Sequence, residues 1–313
     1  MSRLYIEKSH PMCQLQDAGR FGVRHLGITQ GGAADWLSMG WANWLLGNGV
    51  GAAVVEITLG GFELIAEQDC HLALAGADLQ ATLDGAALLP WRSFNLRRGQ
   101  RLAFGAPVQG VRAYLAAPGG FTAPAALGSV ATVARDGLGG LRGEGSPLMA
   151  ADLLNYQGLA HGAPVAVAEI PDLSLAQPLE VVMGAQAAGF SGQSLFAAFN
   201  EDWTLDSRAD RMGARLLGPR LVYQGPPLVS EGIPLGGVQV PPDGQPIVLG
   251  SDRQTIGGYP RLGALTPLSY ARLAQASPGQ TLRLRATLAD SARARHLAVI
   301  QAWRERRLYN VIA

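Results

Sequence analysis

A mainly β protein built as two related domains is predicted by three features of the sequence. Between Ala53 and Phe104, short apolar runs alternate with Gly-Gly, Asp-Gly and Arg-Gly turns, the rhythm of a sandwich or barrel rather than of β-α units. Helical patterns are few and short. Four motifs of the first half also recur, in the same order, in the second half, the mark of an internal duplication.

Taken in order, Tyr5-Ile6-Glu7 reads as an opening strand, and residues 14–27 read as a polar, glycine-punctuated loop carrying Gln16, Asp17, Arg20 and Arg24. Asp35 caps a helix over 36–46, with Leu37, Trp41, Trp44 and Leu45 at helical spacing and Gly47-Asn48-Gly49 as its stop. Trp36, Trp41 and Trp44 on so short a helix predict a buried face, with a face that docks on a partner as the alternative. Strands follow at 54–57, 62–65, 71–75, 79–83, 94–96, 102–104 and 111–117, then long loops over 121–153. The Ala- and Pro-rich stretch 158–177 reads as the weakest-structured segment and the natural boundary, which divides the chain into domains 1–170 and 171–313. The second domain is strand-rich over 179–287, and Asp290 caps a terminal helix with Leu297, Ile300 and Trp303 on one side.

The duplication rests on four pairs. Arg20-Phe21-Gly22-Val23-Arg24-His25-Leu26-Gly27 matches Arg211-Met212-Gly213-Ala214-Arg215-Leu216-Leu217-Gly218. Leu59-Gly60-Gly61 matches Leu235-Gly236-Gly237, each preceded by a glutamate, Glu56 or Glu231. Residues 73–78 match 247–252, and Gly99-Gln100 matches Gly279-Gln280. Two β domains with separate cores follow, and the cleft between such domains is the expected ligand site.

Composition excludes several chemistries. Of 313 residues, 48% are hydrophobic and 16% charged, with net charge +1, so neither nucleic acid nor an anionic membrane is an expected partner. No stretch nears the roughly 20 apolar residues of a membrane span, and the opening residues lack a signal-peptide core. A cytoplasmic location is the expectation. Cys13 and Cys70 are too few for a disulfide framework or a zinc cage, and His10, His25, His71, His161 and His296 show no metal-ligand spacing, so no metal site is expected. Lys8 is the single lysine, which rules out a phosphate loop ending in GK[ST], a Schiff base in the body of the chain and covalently attached biotin.

The densest polar cluster lies in 237–263. Val238-Gln239-Val240, the turn Pro241-Pro242-Asp243-Gly244 and Ile247-Val248-Leu249 form a hairpin. At its end stand Ser251, Asp252, Arg253, Gln254 and Thr255. Asp252 can act as a general base or bind a substrate amine; the alternative is that it pairs with an arginine. Gly257 and Gly258 admit close approach of a ligand or another backbone, and Tyr259 closes the loop. Glu231 and Gln239 can line the same cleft, or can be buried structural partners. Arg20, Arg24, Arg211 and Arg215 can grip carboxylate or phosphate oxygens, or can each lock a glycine loop to its own domain. The first-half counterpart of Asp252, Asp78, lacks the residues that follow, so weight falls on Arg253, Gln254, Thr255 and Tyr259.

Several motifs resemble the biotin-dependent carboxyltransferase family, also labelled allophanate hydrolase subunit 2. They are Gln14-Leu15-Gln16-Asp17-Ala18-Gly19-Arg20, Gly31-Gly32-Ala33-Ala34-Asp35, Ala42-Asn43, Gly47-Asn48, Arg112-Ala113-Tyr114-Leu115-Ala116 with Gly119-Gly120, and Leu127-Gly128-Ser129. Asp210-Arg211-Met212-Gly213-Ala214-Arg215-Leu216, Ser230-Glu231-Gly232-Ile233-Pro234-Leu235-Gly236 and the stretch through Tyr259 continue the resemblance. It implies two cyclophilin-like β-barrel domains. For the family's 5-oxoprolinase branch it also implies partner subunits A and B, the latter Kip inhibitor-like. Together these open 5-oxo-L-proline to L-glutamate with ATP hydrolysis, and one chain is inactive alone. Two other branches imply carboxyl transfer to urea from biotin carried on another protein, or a non-enzymatic Kip antagonist that binds a kinase-inhibitor partner.

Overall fold

The computed structural model describes residues 2–158, 162–305 and 309–311; His161 lies outside them. Two compact units emerge: Met1–Phe21 with Gly31–Pro171 and Ala302–Ala313, and Gly22–Gln30 with Asp172–Gln301. The fold is mainly β in several sheets. Among the described residues no helix is long and apolar enough to cross a membrane.

The first unit holds two seven-stranded sheets. One runs Phe121–Thr122, Leu153–Tyr156, Ser2–Lys8, Phe62–Ala66, Arg101–Phe104, Thr82–Leu83, Ala86–Ala87. Its inner strands alternate as a sheet with one buried face should: Leu4 and Ile6 are fully buried while Tyr5 between them is exposed. The other runs Cys13–Gln16, Val54–Thr58, Gln109–Ala116, Cys70–Asp78, Arg92–Leu96, Val165–Val167, Tyr309–Val311. Here Val54–Thr58 and nearly all of Cys70–Asp78 are buried without alternation. The helix Trp36–Leu45 packs on Cys70–Asp78 and Gln109–Ala116, covering the face that would otherwise meet water.

Asp35 starts that helix as expected, its Oδ1 accepting from the Leu37 and Ser38 amides at 3.0 Å. Its tryptophans are buried or half-buried and meet Trp303 edge to face, with Trp36 at 5.6 Å and Trp41 at 6.0 Å between ring centroids. Trp44 Nε1 donates to the Trp303 carbonyl at 2.8 Å. Gly40 inside the helix is explained by the same ring, because a Cβ there would lie 2.3 Å from Trp303 Cη2.

Three local expectations for this unit need correction. Residues 14–16 of the supposed loop belong to the strand Cys13–Gln16, paired with Val54–Thr58, because Cys13 and Leu15 alternate as fully buried side chains. Of 79–83 only Thr82–Leu83 is strand. The Ala- and Pro-rich stretch contributes the strand Val165–Val167, paired with Tyr309–Val311.

Cys13 and Cys70 are fully buried, and burial pushes both thiols up to about 11. Neither should react with a disulfide thiol reagent near pH 8 until the chain is unfolded, since the thiolate is the nucleophile. Rapid labelling of the native protein at either position would contradict the burial.

The second unit holds one eight-stranded sheet: Thr281–Leu282, Trp203–Leu205, Gly213–Leu217, Ile247–Leu249, Gly237–Gln239, Arg261–Leu265, Leu179–Met183, Leu284–Thr287. Its two ends, Thr281–Leu282 and Leu284–Thr287, are separated in the chain by Arg283 alone. The sheet is therefore a nearly closed barrel, which leaves little free edge. Trp203, Val181, Val238 and Leu262 fill its core.

Two helices within the expected strand-rich half were missed, Gly192–Asn200 and Pro267–Ala274. Both carry start signals that the strand reading passed over. Ser191 accepts from the Ser194 amide, and Thr266 accepts from the Ser269 amide with a proline at the helix start. The terminal helix Ala289–Glu305 begins before Asp290, which sits in its first turn. Its inward stripe runs from buried Ala292 to buried Trp303 through the half-buried His296, Val299 and Ile300. Leu297 falls off this stripe and is 51% exposed, contrary to expectation.

The repeated motifs behave unequally. Gly99 and Gly279 turn with φ of 83° and 82°, and the following glutamines each bond a backbone amide, Arg97 at 2.8 Å and Ser277 at 2.9 Å. The Arg20–Gly27 and Arg211–Gly218 pair does not share a conformation. The first forms bends and a short 3-10 turn at Arg24–Leu26, and the second is largely the strand Gly213–Leu217.

Candidate functional site

The hairpin at the heart of the expected site forms as read. Val238 faces Val248 and Gln239 faces Ile247, and at the turn the Gly244 amide donates to the Pro241 carbonyl at 2.9 Å. Beyond Leu249 the chain presses against residues 211–212. The Gly250 and Asp252 amides donate to the carbonyls of Met212 at 2.8 Å and Arg211 at 2.9 Å. A Cβ on Gly250 would sit 2.2 Å from the Arg211 oxygen. Ser251, Asp252 and Arg253 are consequently buried, not displayed.

Asp252 has its arginine. Arg211 Nε reaches Oδ2 and Nη2 reaches Oδ1, both at 2.9 Å. A carboxylate gripped at both oxygens fixes its partner's orientation, so the geometry gives Asp252 the pairing role rather than that of a free base.

Arg253 is 3% exposed and, among the described residues, bonds only neutral oxygens: Nε to the Ile233 carbonyl at 3.1 Å, Nη1 to that of Gly250 at 3.2 Å, and Nη2 to Gln30 Oε1 at 3.2 Å. Arg24 comes to the same place. Its Nη2 donates to the carbonyls of Ile233 at 2.7 Å and Thr255 at 2.9 Å, and also to that of Gln254 at 3.4 Å. Ile233 thus accepts from both guanidiniums. Burial, and secondly the charge of Arg24, hold Arg253 down to about 10, and burial lowers Arg24 as well. Gln254 and Thr255 serve here through their backbone oxygens.

The remaining expected residues are dispersed. Gly257 pairs with Glu231 in a two-stranded ribbon. The close approach it permits is by the protein itself, since a Cβ would lie 2.6 Å from Ile233 Cδ1 and 2.8 Å from Gln239 Nε2. Gln239 is buried with its Nε2 unbonded among the described residues. Gly258 is exposed, and the nearest atom to an added Cβ is Ser230 Oγ at 3.4 Å. Glu231 accepts from Arg261 at 2.5 Å and Gln186 at 2.6 Å. Tyr259 is half exposed and lines a cavity of about 270 Å³ with Arg220, Tyr223, Pro241 and Pro242. Arg215 is tied to Asp243. Arg20, fully buried in the first unit, donates to the carbonyls of Ala126 at 3.1 Å and Ala131 at 2.8 Å. Of the four repeat arginines, Arg24 alone joins Arg253.

Sequence reasoning missed a second polar cluster, in the first unit. Tyr114 donates to Glu56 Oε2 at 2.9 Å and accepts from the Asp35 amide at 2.7 Å, while the Ala34 amide donates to the same glutamate oxygen at 2.8 Å. Burial, then the charges of Glu56 and Asp35, push the Tyr114 phenol well above its ordinary value. With Glu56 1% and Tyr114 0% exposed, the cluster pins the entry to the tryptophan helix. A glutamate inside VVEIT and a tyrosine inside RAYLA were the available signals.

The carboxyltransferase domain model, subdomain A and B, matches residues 26–286. The chain belongs to that family. Among its relatives, the 5-oxoprolinase C subunit of Haemophilus influenzae is 35% identical over 285 residues, 90% of each chain. The protein of the same name from Escherichia coli is 36% identical over 283 residues, again 90% of each. The crystal structure of TTHA0988 superimposes with a TM-score of 0.81 at 36% identity, covering 91% of this chain and 56% of the longer TTHA0988 chain. These residues therefore make a carboxyltransferase-type fold, whose glycine loops and hairpin carry the motifs quoted above.

Proposed function

We propose that this chain is the C subunit of an ATP-dependent 5-oxoprolinase, acting with subunits A and B to open 5-oxo-L-proline to L-glutamate. The observation that carries this reading is similarity along nine-tenths of the chain to two proteins bearing that name. A lactam amide is a poor electrophile, so ATP activates its oxygen before water attacks. ATP enters as a substrate of the complex. Each half is read as a cyclophilin-like barrel domain, residues 1–170 and 171–313, and the matching turns at Gly99-Gln100 and Gly279-Gln280 support their duplication. The site is placed on the 237–263 stretch, with Arg253 and Arg24 as its charge-bearing groups.

Reconstitution tests the reading. Purified chain with subunits A and B and ATP should convert 5-oxo-L-proline to glutamate, and omission of this chain should abolish the product. Equal glutamate yield without it would sink the proposal.

A further inference from the structure

Arg24 and Arg253 form a pair of cations whose charge the described residues leave unanswered. Every hydrogen-bond partner of either guanidinium is a carbonyl or the Gln30 amide oxygen. The carboxylate that acts on Arg253, that of Asp252, is already held at both oxygens by Arg211. Two positive charges thus stand in excess, Arg253 where water is largely excluded and Arg24 half-buried beside it, an arrangement disfavoured without an anion. Arg24 also retains unused donors: its Nη1 is buried with no hydrogen-bond partner among the described residues. Gln30 gives its oxygen to Arg253, and its Nε2 donor makes no hydrogen bond among the described residues. A planar guanidinium with open N–H groups, a second cation behind it and an amide donor beside it suit the two oxygens of a carboxylate.

We propose that Arg24 and Arg253, with Gln30, seat the oxyanion of a small ligand, and that this oxyanion is the carboxylate of the lactam acid. The carboxylate assignment rests on the 5-oxoprolinase reading; the oxyanion seat does not. Arg24 makes the direct contact and Arg253 supplies the second charge. Of the other repeat arginines, Arg211 and Arg215 are neutralised by Asp252 and Asp243, and Arg20 is fully buried in the first unit, whereas Arg253 belongs to the second.

The test is calorimetric titration of the full chain with 5-oxo-L-proline, with 2-pyrrolidinone, which keeps the ring but lacks the carboxylate, and with inorganic phosphate. Arg253 also holds the Ile233 and Gly250 carbonyls, so Arg253→Gln risks misfolding and Arg24→Gln is the primary variant. Arg283→Gln, which removes an exposed charge of the same unit, is the control. The expected result is that 5-oxo-L-proline binds, 2-pyrrolidinone does not, and Arg24→Gln weakens the acid at least about tenfold, or about 1.4 kcal/mol, while Arg283→Gln leaves it unchanged. Phosphate binding that Arg24→Gln abolishes, with no binding of 5-oxo-L-proline, keeps the oxyanion seat and overturns its carboxylate assignment. Binding of none of the three, or equal affinity in wild type and Arg24→Gln, overturns the seat itself. In the reconstituted complex the same variant should raise KM for 5-oxo-L-proline with KM for ATP unchanged. Absence of glutamate from the wild-type complex despite Arg24-dependent binding would count against the enzyme reading alone.

Discussion

Asp252→Asn is expected to destabilise the protein by about 3 kcal/mol or more, the scale for removing one partner of a buried ion pair. Arg211 grips both Asp252 oxygens, and the two side chains are 15% and 11% exposed. An asparagine would neutralise the carboxylate beside a group that already contains Arg24 and Arg253, and would present an amide N–H₂ to a donor-only guanidinium. Denaturant unfolding measures the loss. The double replacement Arg211→Met with Asp252→Leu should recover most of it, because no uncompensated charge of that pair then remains. If Asp252→Asn melts like wild type yet the reconstituted complex loses turnover, the carboxylate is acting as a base and the pairing account is wrong.

Trp303→Ala should lower stability by about 3–5 kcal/mol, the range for deleting a large buried aromatic side chain. The ring is 4% exposed, meets Trp36 and Trp41 edge to face, and fills the space that Gly40 leaves open. Its removal opens a cavity lined by rigid indoles and helix backbone, which collapse poorly. The Trp44 bond to residue 303 is made to a carbonyl and survives the substitution, so the loss reports packing. Trp303→Phe should lose less, since a smaller ring still fills part of the space. A midpoint shift equivalent to under about 1 kcal/mol for the alanine variant would mean that the cluster relaxes around the gap.

Much of this architecture was legible residue by residue. The Asp35 cap, the tryptophan face, the hairpin about Pro241 to Gly244 and most strands of the first unit follow from local rules: side-chain period, cap chemistry and glycine or proline turns. Where local rules competed, the reading slipped. The helix starts at Ser191 and Thr266 were overshadowed by neighbouring strand patterns, and Leu297 suggested an apolar stripe that lies one position away.

The chain's composition and motif spacing by themselves pointed to a mainly β protein with a single lysine and no GK[ST] phosphate loop, and the carboxyltransferase type came from the resemblance of its motifs to that family. The tertiary structure decided which charged groups are spoken for. Asp252 meets an arginine 41 residues earlier, and Arg253 meets an amide 223 residues away. Nothing in the local sequence distinguishes Arg24 from Arg20, Arg211 or Arg215. A side chain's charge is written in its residue type, but its availability depends on partners delivered by distant segments, and on how far burial strips away water that would otherwise stand in for them.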